Sequence, residues 1–234
     1  MIDFHSHFLP CIDDGSRSIE ESLKMLQESF SQGVEKIVAT PHFSPDKETV
    51  DEFLLRRDNS YFALKEKINF QAPEILLGAE VRYYDGISHM QELAKLRVEN
   101  SRLLLLEMPF GRWTEYAVKN VSEIACRGKI TVVLAHVERY MSFQKAGVLE
   151  RLLENGVLFQ MNADFFTGVF SRRRAMSMIR RDMIHFVGSD SHNMTTRPPN
   201  MKGMADAITR AFGDGGKEHF INECCEIFEQ NKLK

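Results

Sequence analysis

Seven short apolar runs recur along the chain, separated for the most part by stretches with helical spacing. They are "IDFHSH" at the N-terminus, "KIVATPH" (Lys36–His42), "EILLGAEVRYY", "SRLLLLEMP", "ITVVLAH" (Ile130–His136), "VLFQMN" (Val157–Asn162) and "IHFVGSDSH" (Ile184–His192). Each reads as one β-strand. After the first, Ile19, Leu23, Leu26 and Phe30 recur at helical spacing. Ser18 with Glu21 three residues on has the form of a capping box, and Gly33 suits the end of that helix. A charged stretch from about Asp46 to Ile68 predicts a second helix. The strands are continuously apolar, not alternating, which is the mark of a sheet buried on both faces. Repeated strand–helix alternation then points to a parallel, helix-covered α/β sheet.

Nearly every predicted strand ends on a side chain able to bind metal: His5 and His7, His42, Glu80, Glu107, His136, and Asp190 with His192. Open parallel sheets and barrels both gather their sites at the C-terminal strand ends. Only closure brings seven such ends to one centre, so a barrel is favoured. No repeat, low-complexity tract or linker interrupts residues 1–234, which read as one domain.

Composition narrows the class. With 43% hydrophobic and 27% charged residues, the chain is expected to be an ordinary globular protein. A net charge of −3 argues against a general nucleic-acid binder. No apolar run approaches a membrane span, and "MIDFHSH" lacks the form of a secretory signal. The four cysteines include no C-x-x-C pair, so reduced thiols in the cytoplasm are the expectation.

A single histidine at a strand end is weak evidence; the set is stronger. In His5-x-His7, side chains two apart share a face of the strand, so both imidazoles can point at one ion. Asp190-x-His192 repeats the device. His89, His185 and His219 fall elsewhere and read as background. The donor mix is imidazole and carboxylate without thiolate, which disfavours a structural zinc site and suits a catalytic cluster of Mn²⁺, Fe²⁺ or Zn²⁺. The donors are too many for one ion, and multi-metal clusters of this kind hydrolyse phosphate esters or amides.

The segments "MIDFHSH", "LPCIDDGSRS", "ATPHF", "GAEV", "LLLLEMP", "AHVERY" and "GSDSHNMTTRPPNM" run in order through residue 201. Together they resemble the signature segments of the manganese-dependent tyrosine phosphatases of capsule and exopolysaccharide operons, in the polymerase-and-histidinol-phosphatase (PHP) superfamily. The resemblance implies a distorted (β/α)7 barrel and a centre of two or three ions, Mn²⁺ first, with Fe²⁺, Co²⁺ and Zn²⁺ open. His5, His7, Asp190 and a bridging Glu80 would hold one ion, and Glu80, Glu107 and His136 a second. Asp14, His42 and His192 would hold a third. Arg139 and Arg197 resemble the arginines that engage the phosphoryl group. The implied substrate is phosphotyrosine on a bacterial tyrosine kinase controlling polysaccharide synthesis or export. Physical chemistry agrees at one point: planar guanidinium forks match a phosphate dianion, and both arginines follow candidate ligands closely. Phe43, Phe110, Trp113 and Tyr140 are candidates for an apolar rim around the leaving group.

Three features compete with that reading. Cys11, Arg17 and Ser18 trace the Cys-x5-Arg-Ser outline of a cysteine phosphatase. Asp13 and Asp14 inside that loop would repel phosphate and raise the thiol pKa, so Cys11 is expected to be passive. The five arginines of Gly168–Arg181 read first as a solvated helix face and second as a patch for an acidic partner. A PHP phosphoesterase acting on a small ester such as histidinol phosphate, or on nucleic acid, is the alternative enzyme, and a non-catalytic metal-stabilised scaffold the alternative of another class.

Overall fold

The computed structural model describes residues 1–233. Among them are nine strands: β1 (Ile2–Ser6), β2 (Lys36–Ala39), β3 (His42–Phe43), β4 (Glu74–Leu77), β5 (Glu80–Arg82), β6 (Leu103–Glu107), β7 (Thr131–Leu134), β8 (Leu158–Asn162) and β9 (Phe186–Gly188). Six α-helices accompany them: α1 (Ile19–Ser31), α2 (Val50–Lys65), α3 (Glu115–Cys126), α4 (Val148–Glu154), α5 (Val169–Ile179) and α6 (Met201–Gln230).

All strand pairing between these elements is parallel, in the orders β1-β2-β4 and β3-β5-β6-β7-β8-β9. The sheet curls until its last strand lies beside its first. There the Asp190 N–H donates to the His5 carbonyl at 2.7 Å and the His7 N–H to the Ser191 carbonyl at 2.9 Å. The predicted alternation therefore holds, with two corrections. "KIVATPH" and "EILLGAEVRYY" are each broken in two instead of forming one strand. Pro41 has no N–H to offer a ladder. At the second break, the Gly78 N–H donates to the Ala39 carbonyl at 2.8 Å and the Glu80 N–H to the Pro41 carbonyl at 3.0 Å, so the backbone stays paired across both breaks.

Burial follows the continuous apolar pattern. Leu103 to Leu106 and Val132 to Leu134 are inaccessible to solvent. Such side chains contribute about 1.5–3 kcal/mol each on burial. Across the join, Phe4 of β1 and Phe186 of β9 stack with ring centroids 4.1 Å apart. Gly188 is required here, because a Cβ would lie 2.4 Å from the His5 Cβ.

The helix ends use the expected chemistry, with differences of detail. Ser18 Oγ accepts from the Glu21 N–H at 3.2 Å, but Glu21 reaches the N–H of Arg17, not Ser18, at 2.9 Å. The buried face of α1 is Ser22, Met25, Leu26 and Ser29, while Ile19, Leu23 and Phe30 sit half-buried on its flanks. The two small serines are buried in the face directed at the protein interior, which apolar spacing alone does not reveal. The second helix is shorter than its charged stretch, starting at a full capping box of Thr49 and Glu52. Between β5 and β6 the chain makes 3₁₀ turns (Ile87–His89 and Gln91–Leu96) in place of an α-helix. Gly213, at φ 75° and ψ 176°, breaks α6 internally.

Candidate metal centre

All nine sequence-predicted ligands gather in one cluster, on the side of the sheet where β1, β6, β7 and β9 end. His5 is on β1, His7 just past it, and His42 on β3. Glu80 begins β5 as the register partner of His42, and Glu107 ends β6. His136 follows β7, and Asp190 and His192 follow β9. Asp14 comes from the loop ahead of α1, which Gly15 brings down onto β1. A Cβ at Gly15 would fall 2.1 Å from the His7 carbonyl oxygen, so only glycine lets this loop approach so closely. His136 (φ 34°) and Asp190 (φ 51°) both occupy the left-handed region, a strained backbone of the kind concentrated at functional sites.

Three groups of donor atoms form around the cluster, each with its atoms within 4.8 Å of one another: His5, His7 and Asp190; His7, Asp14, His42 and His192; and His42, Glu80 and Glu107. His136 Nε2 lies 2.9 Å from Glu80 Oε1 and 3.7 Å from Glu107 Oε1. Glu80 is the hub. Its Oε2 is 3.2 Å from His5 Nε2, 3.3 Å from His7 Nε2 and 2.9 Å from His42 Nδ1.

The donor set fits divalent ions. His5 Nε2 and His7 Nε2 face each other at 3.0 Å. His136 Nδ1 and His192 Nε2 are buried without a hydrogen-bond partner among the described residues, an arrangement that is costly in a dry site. The electrostatics point the same way. Burial opposes charge on His5, yet Glu80 and Asp190 outweigh it and raise its pKa to about 9. His7 is likewise raised to about 9 against burial, by its bonds to Asp13 and Glu80. Glu80 and Asp190 are held well below the usual carboxylate range despite burial, by the charges of the surrounding imidazoles. Ionised carboxylates that draw protons onto their neighbours form a cluster that calls for positive charge. Metal ions supply that charge while leaving the imidazoles neutral.

Around the ligands lies a layer that sequence reading did not assign. Asp13 Oδ2 meets His7 Nδ1 at 2.8 Å and accepts from the His42 N–H at 3.0 Å. Burial raises the Asp13 pKa and the His7 contact lowers it; the net result is about 2. Gln160 Oε1 lies 3.2 Å from His5 Nδ1 and accepts from the His136 N–H at 2.7 Å. Gln160 Nε2 donates to Asn162, and Asn162 Nδ2 donates to Asp190 Oδ2 at 2.8 Å. A signal existed for this chain of contacts: a glutamine and an asparagine inside the apolar run "VLFQMN" had to be satisfied by something buried.

Arg139 and Arg197 both reach the cluster, each placing Nη2 on Asp190 Oδ2, at 2.5 and 2.6 Å. Each remains about one-third exposed (35% and 38%) and so can also face the opening. Of the four rim aromatics, Phe43, Trp113 and Tyr140 are buried; Phe43 still borders a groove beside the cluster, whereas Trp113 and Tyr140 do not line it. Their size and apolarity are spent on packing: Phe43 on Phe53, and Trp113 on Tyr140, whose hydroxyl accepts from the Met108 N–H at 3.0 Å. Phe110 alone is open, at 59% exposure, with its ring stacked 6.0 Å from that of His136. A groove of about 900 Å³ runs from Asp14, His42 and Glu107 past Phe110 to Lys47 and Arg82.

Cys11 is exposed and its Sγ–H donates to the Arg17 carbonyl at 3.0 Å. A phosphate-cradling thiolate needs converging N–H donors, and this thiol faces a carbonyl instead. His185 accepts the Phe159 N–H, His219 pairs with Glu223 on the surface, and His89 lies in a 3₁₀ turn, all outside the cluster.

Residues 1–228 match the family described as capsular polysaccharide synthesis, CpsB/CapC. The tyrosine-protein phosphatase CpsB of Streptococcus pneumoniae is 33% identical, over 95% of this chain and 96% of its own. The tyrosine-protein phosphatase YwqE of Bacillus subtilis is 28% identical, over 99% and 92%. A solved structure from work on YwqE and S. pneumoniae CpsB, described as unique metal-dependent tyrosine phosphatases, superposes with a TM-score of 0.83 at 27% identity, covering 100% of this chain and 96% of that one. Listeria monocytogenes HisK, a candidate histidinol phosphatase, shares the fold at a TM-score of 0.50 and 13% identity, over 82% and 95%.

Proposed function

Because this chain belongs to the CpsB/CapC capsular polysaccharide synthesis family, we propose that it is a metal-dependent protein-tyrosine phosphatase. The observation that carries the reading is the convergence of imidazole and carboxylate donors with two arginines on Asp190, beside an open groove that Asp14, His42 and Glu107 line. In this reading Asp14, His42 and His192 join His5, His7, Glu80, Glu107, His136 and Asp190 in holding two or three ions, Mn²⁺ first. The substrate is then a phosphotyrosine protein, a tyrosine kinase of a polysaccharide operon, met in the cytoplasm. One domain over residues 1–234, built as a distorted (β/α)7 barrel, is the architecture proposed. Seven parallel chain runs and the bonds between β1 and the segment after β9 support it.

Bound ions would acidify a water molecule and offset charge on the phosphoryl oxygens. The protein's own residues do the rest. Glu80 and Asp190 stay ionised, and Asp13 and Gln160 fix the ring orientation of His7 and His5. Arg139 and Arg197, anchored on Asp190, present guanidinium donors to the phosphoryl oxygens. The Phe110 face offers a flat apolar surface to the tyrosine ring. Tyr140 and Trp113, packed beneath it, set its position. Hydrolysis exchanges the bond from phosphorus to the tyrosine oxygen for one to water oxygen, giving tyrosine and inorganic phosphate.

The test is turnover of a phosphotyrosine peptide after thorough chelation, then with Mn²⁺, Fe²⁺, Co²⁺ or Zn²⁺ restored singly. Loss and recovery of activity support the reading. Activity that survives chelation overturns it. Faster turnover of histidinol phosphate or an oligonucleotide would move the substrate to the alternative class.

A further inference from the structure

We propose that the outward face of α5, with the neighbouring part of α6, docks on an anionic phospholipid surface. The observations are independent of the metal centre. Helix α5 has an unusual exposed side. Phe170 is 82% exposed and the adjacent Val169 64%. Arg173 and Arg174 stand three and four residues after Phe170, on the same helical face and also exposed. Beside them a groove of about 350 Å³ between the two helices is lined by Arg172, Arg180 and Arg210 together with Arg173 itself, with Met176, Ala207 and Ala211 and no carboxylate. Among the described residues none of these five arginines forms an ion pair within 4 Å. Arg180 is held over the Phe212 ring at 4.9 Å. This concentration of unpaired cations occurs in a chain whose net charge is −3.

Guanidinium groups gathered without partners repel one another, so the groove is complementary to phosphate oxygens. Charge alone would suit any polyanion. The exposed phenylalanine and valine distinguish the cases. A ring such as Phe170 can stack on a base, but Val169 gains nothing from a highly charged peptide or polynucleotide in water, whereas both side chains can enter the apolar edge of a bilayer while the arginines meet the headgroups. No helix of the described residues is long and apolar enough to cross a membrane, so the contact is peripheral. Val169 and Phe170 open α5 just after the 3₁₀ turn Ala163–Phe166, which follows β8 on the side of the sheet that carries the candidate metal ligands. Docking through this end would hold the opening of the site beside the bilayer.

The experiment is co-sedimentation of the full chain with vesicles of phosphatidylcholine alone or mixed with phosphatidylglycerol. The wild type is expected to partition onto the phosphatidylglycerol vesicles only, and to release at high salt. An Arg173→Glu, Arg174→Glu, Arg210→Glu variant is expected to lose on the order of fivefold in partition per arginine. Phe170→Ser should weaken binding separately, and both variants should cleave a soluble phosphotyrosine peptide at the wild-type rate. Absence of preference for the anionic vesicles overturns the proposal. So does binding that the variants do not change, or retention by a polyglutamate column in the absence of vesicle binding.

Discussion

His7 Nδ1 lies 2.8 Å from a carboxylate oxygen of Asp13, which directs the other ring nitrogen of His7 toward His5, Glu80 and Asp190. The same Asp13 accepts from the N–H groups of Gly15 and His42, so one side chain ties the loop before α1 to two strand ends. A carboxylate behind a metal-binding imidazole fixes its tautomer and raises its basicity. Asp13→Ala is therefore expected to weaken metal affinity about 10- to 100-fold. Titration with Mn²⁺ measures this directly, and an affinity equal to wild type would remove Asp13 from the site.

Metal removal should also register as lost stability. Unpartnered buried atoms on His136 and His192, and the imidazole nitrogens crowded around Glu80 Oε2, leave the metal-free cluster poorly satisfied. A ligand present at 100 times its dissociation constant stabilises by about 2.7 kcal/mol. The melting temperature should rise with added Mn²⁺ and fall with chelator. Asp190→Asn is expected to blunt that rise.

Cys11 and Asp14 give opposite forecasts. Cys11→Ser should keep most of the activity, because its thiol is exposed and bonded to a carbonyl. Asp14→Ala should lose most of it, because Asp14 Oδ1 stands 3.3 Å from His42 and 3.5 Å from His192. Parallel assays of the two proteins on one phosphotyrosine peptide decide the matter, and the inverse result would establish a cysteine mechanism.

Arg139→Lys keeps the charge but not the planar fork that now meets Asp190. Its expected effect is a loss in kcat/KM of tenfold or more, with Mn²⁺ affinity close to wild type. An unchanged kcat/KM would assign Arg139 to structure alone.

A pH dependence of stability should arise away from the centre. Burial lowers the His185 pKa from the ordinary 6.5 to about 4, and its Nδ1 accepts the Phe159 N–H. The folded state thus prefers the neutral ring. Its contribution is complete above about pH 6.5 and is lost as pH falls toward 4, up to about 3 kcal/mol. Urea titrations at pH 7 and pH 5 should show this loss in the wild type. The difference should be smaller in His185→Asn.

The sequence by itself determined the order of elements and the chemistry at their ends. Leu103–Leu106 and Val132–Leu134 were legible as strands buried on both faces, because run length and composition are local properties. For the same reason, His5-x-His7 and Asp190-x-His192 were legible as same-face donor pairs. Tertiary structure decided what depends on distance in space. It brought Asp13 behind His7, Gln160 between His5 and His136, and both arginines onto Asp190. It also turned Phe43, Trp113 and Tyr140 inward and left Phe110 open. An aromatic after a ligand-bearing strand has the same local signature whether it packs or projects. Only the neighbours that the curled sheet brings against it settle which.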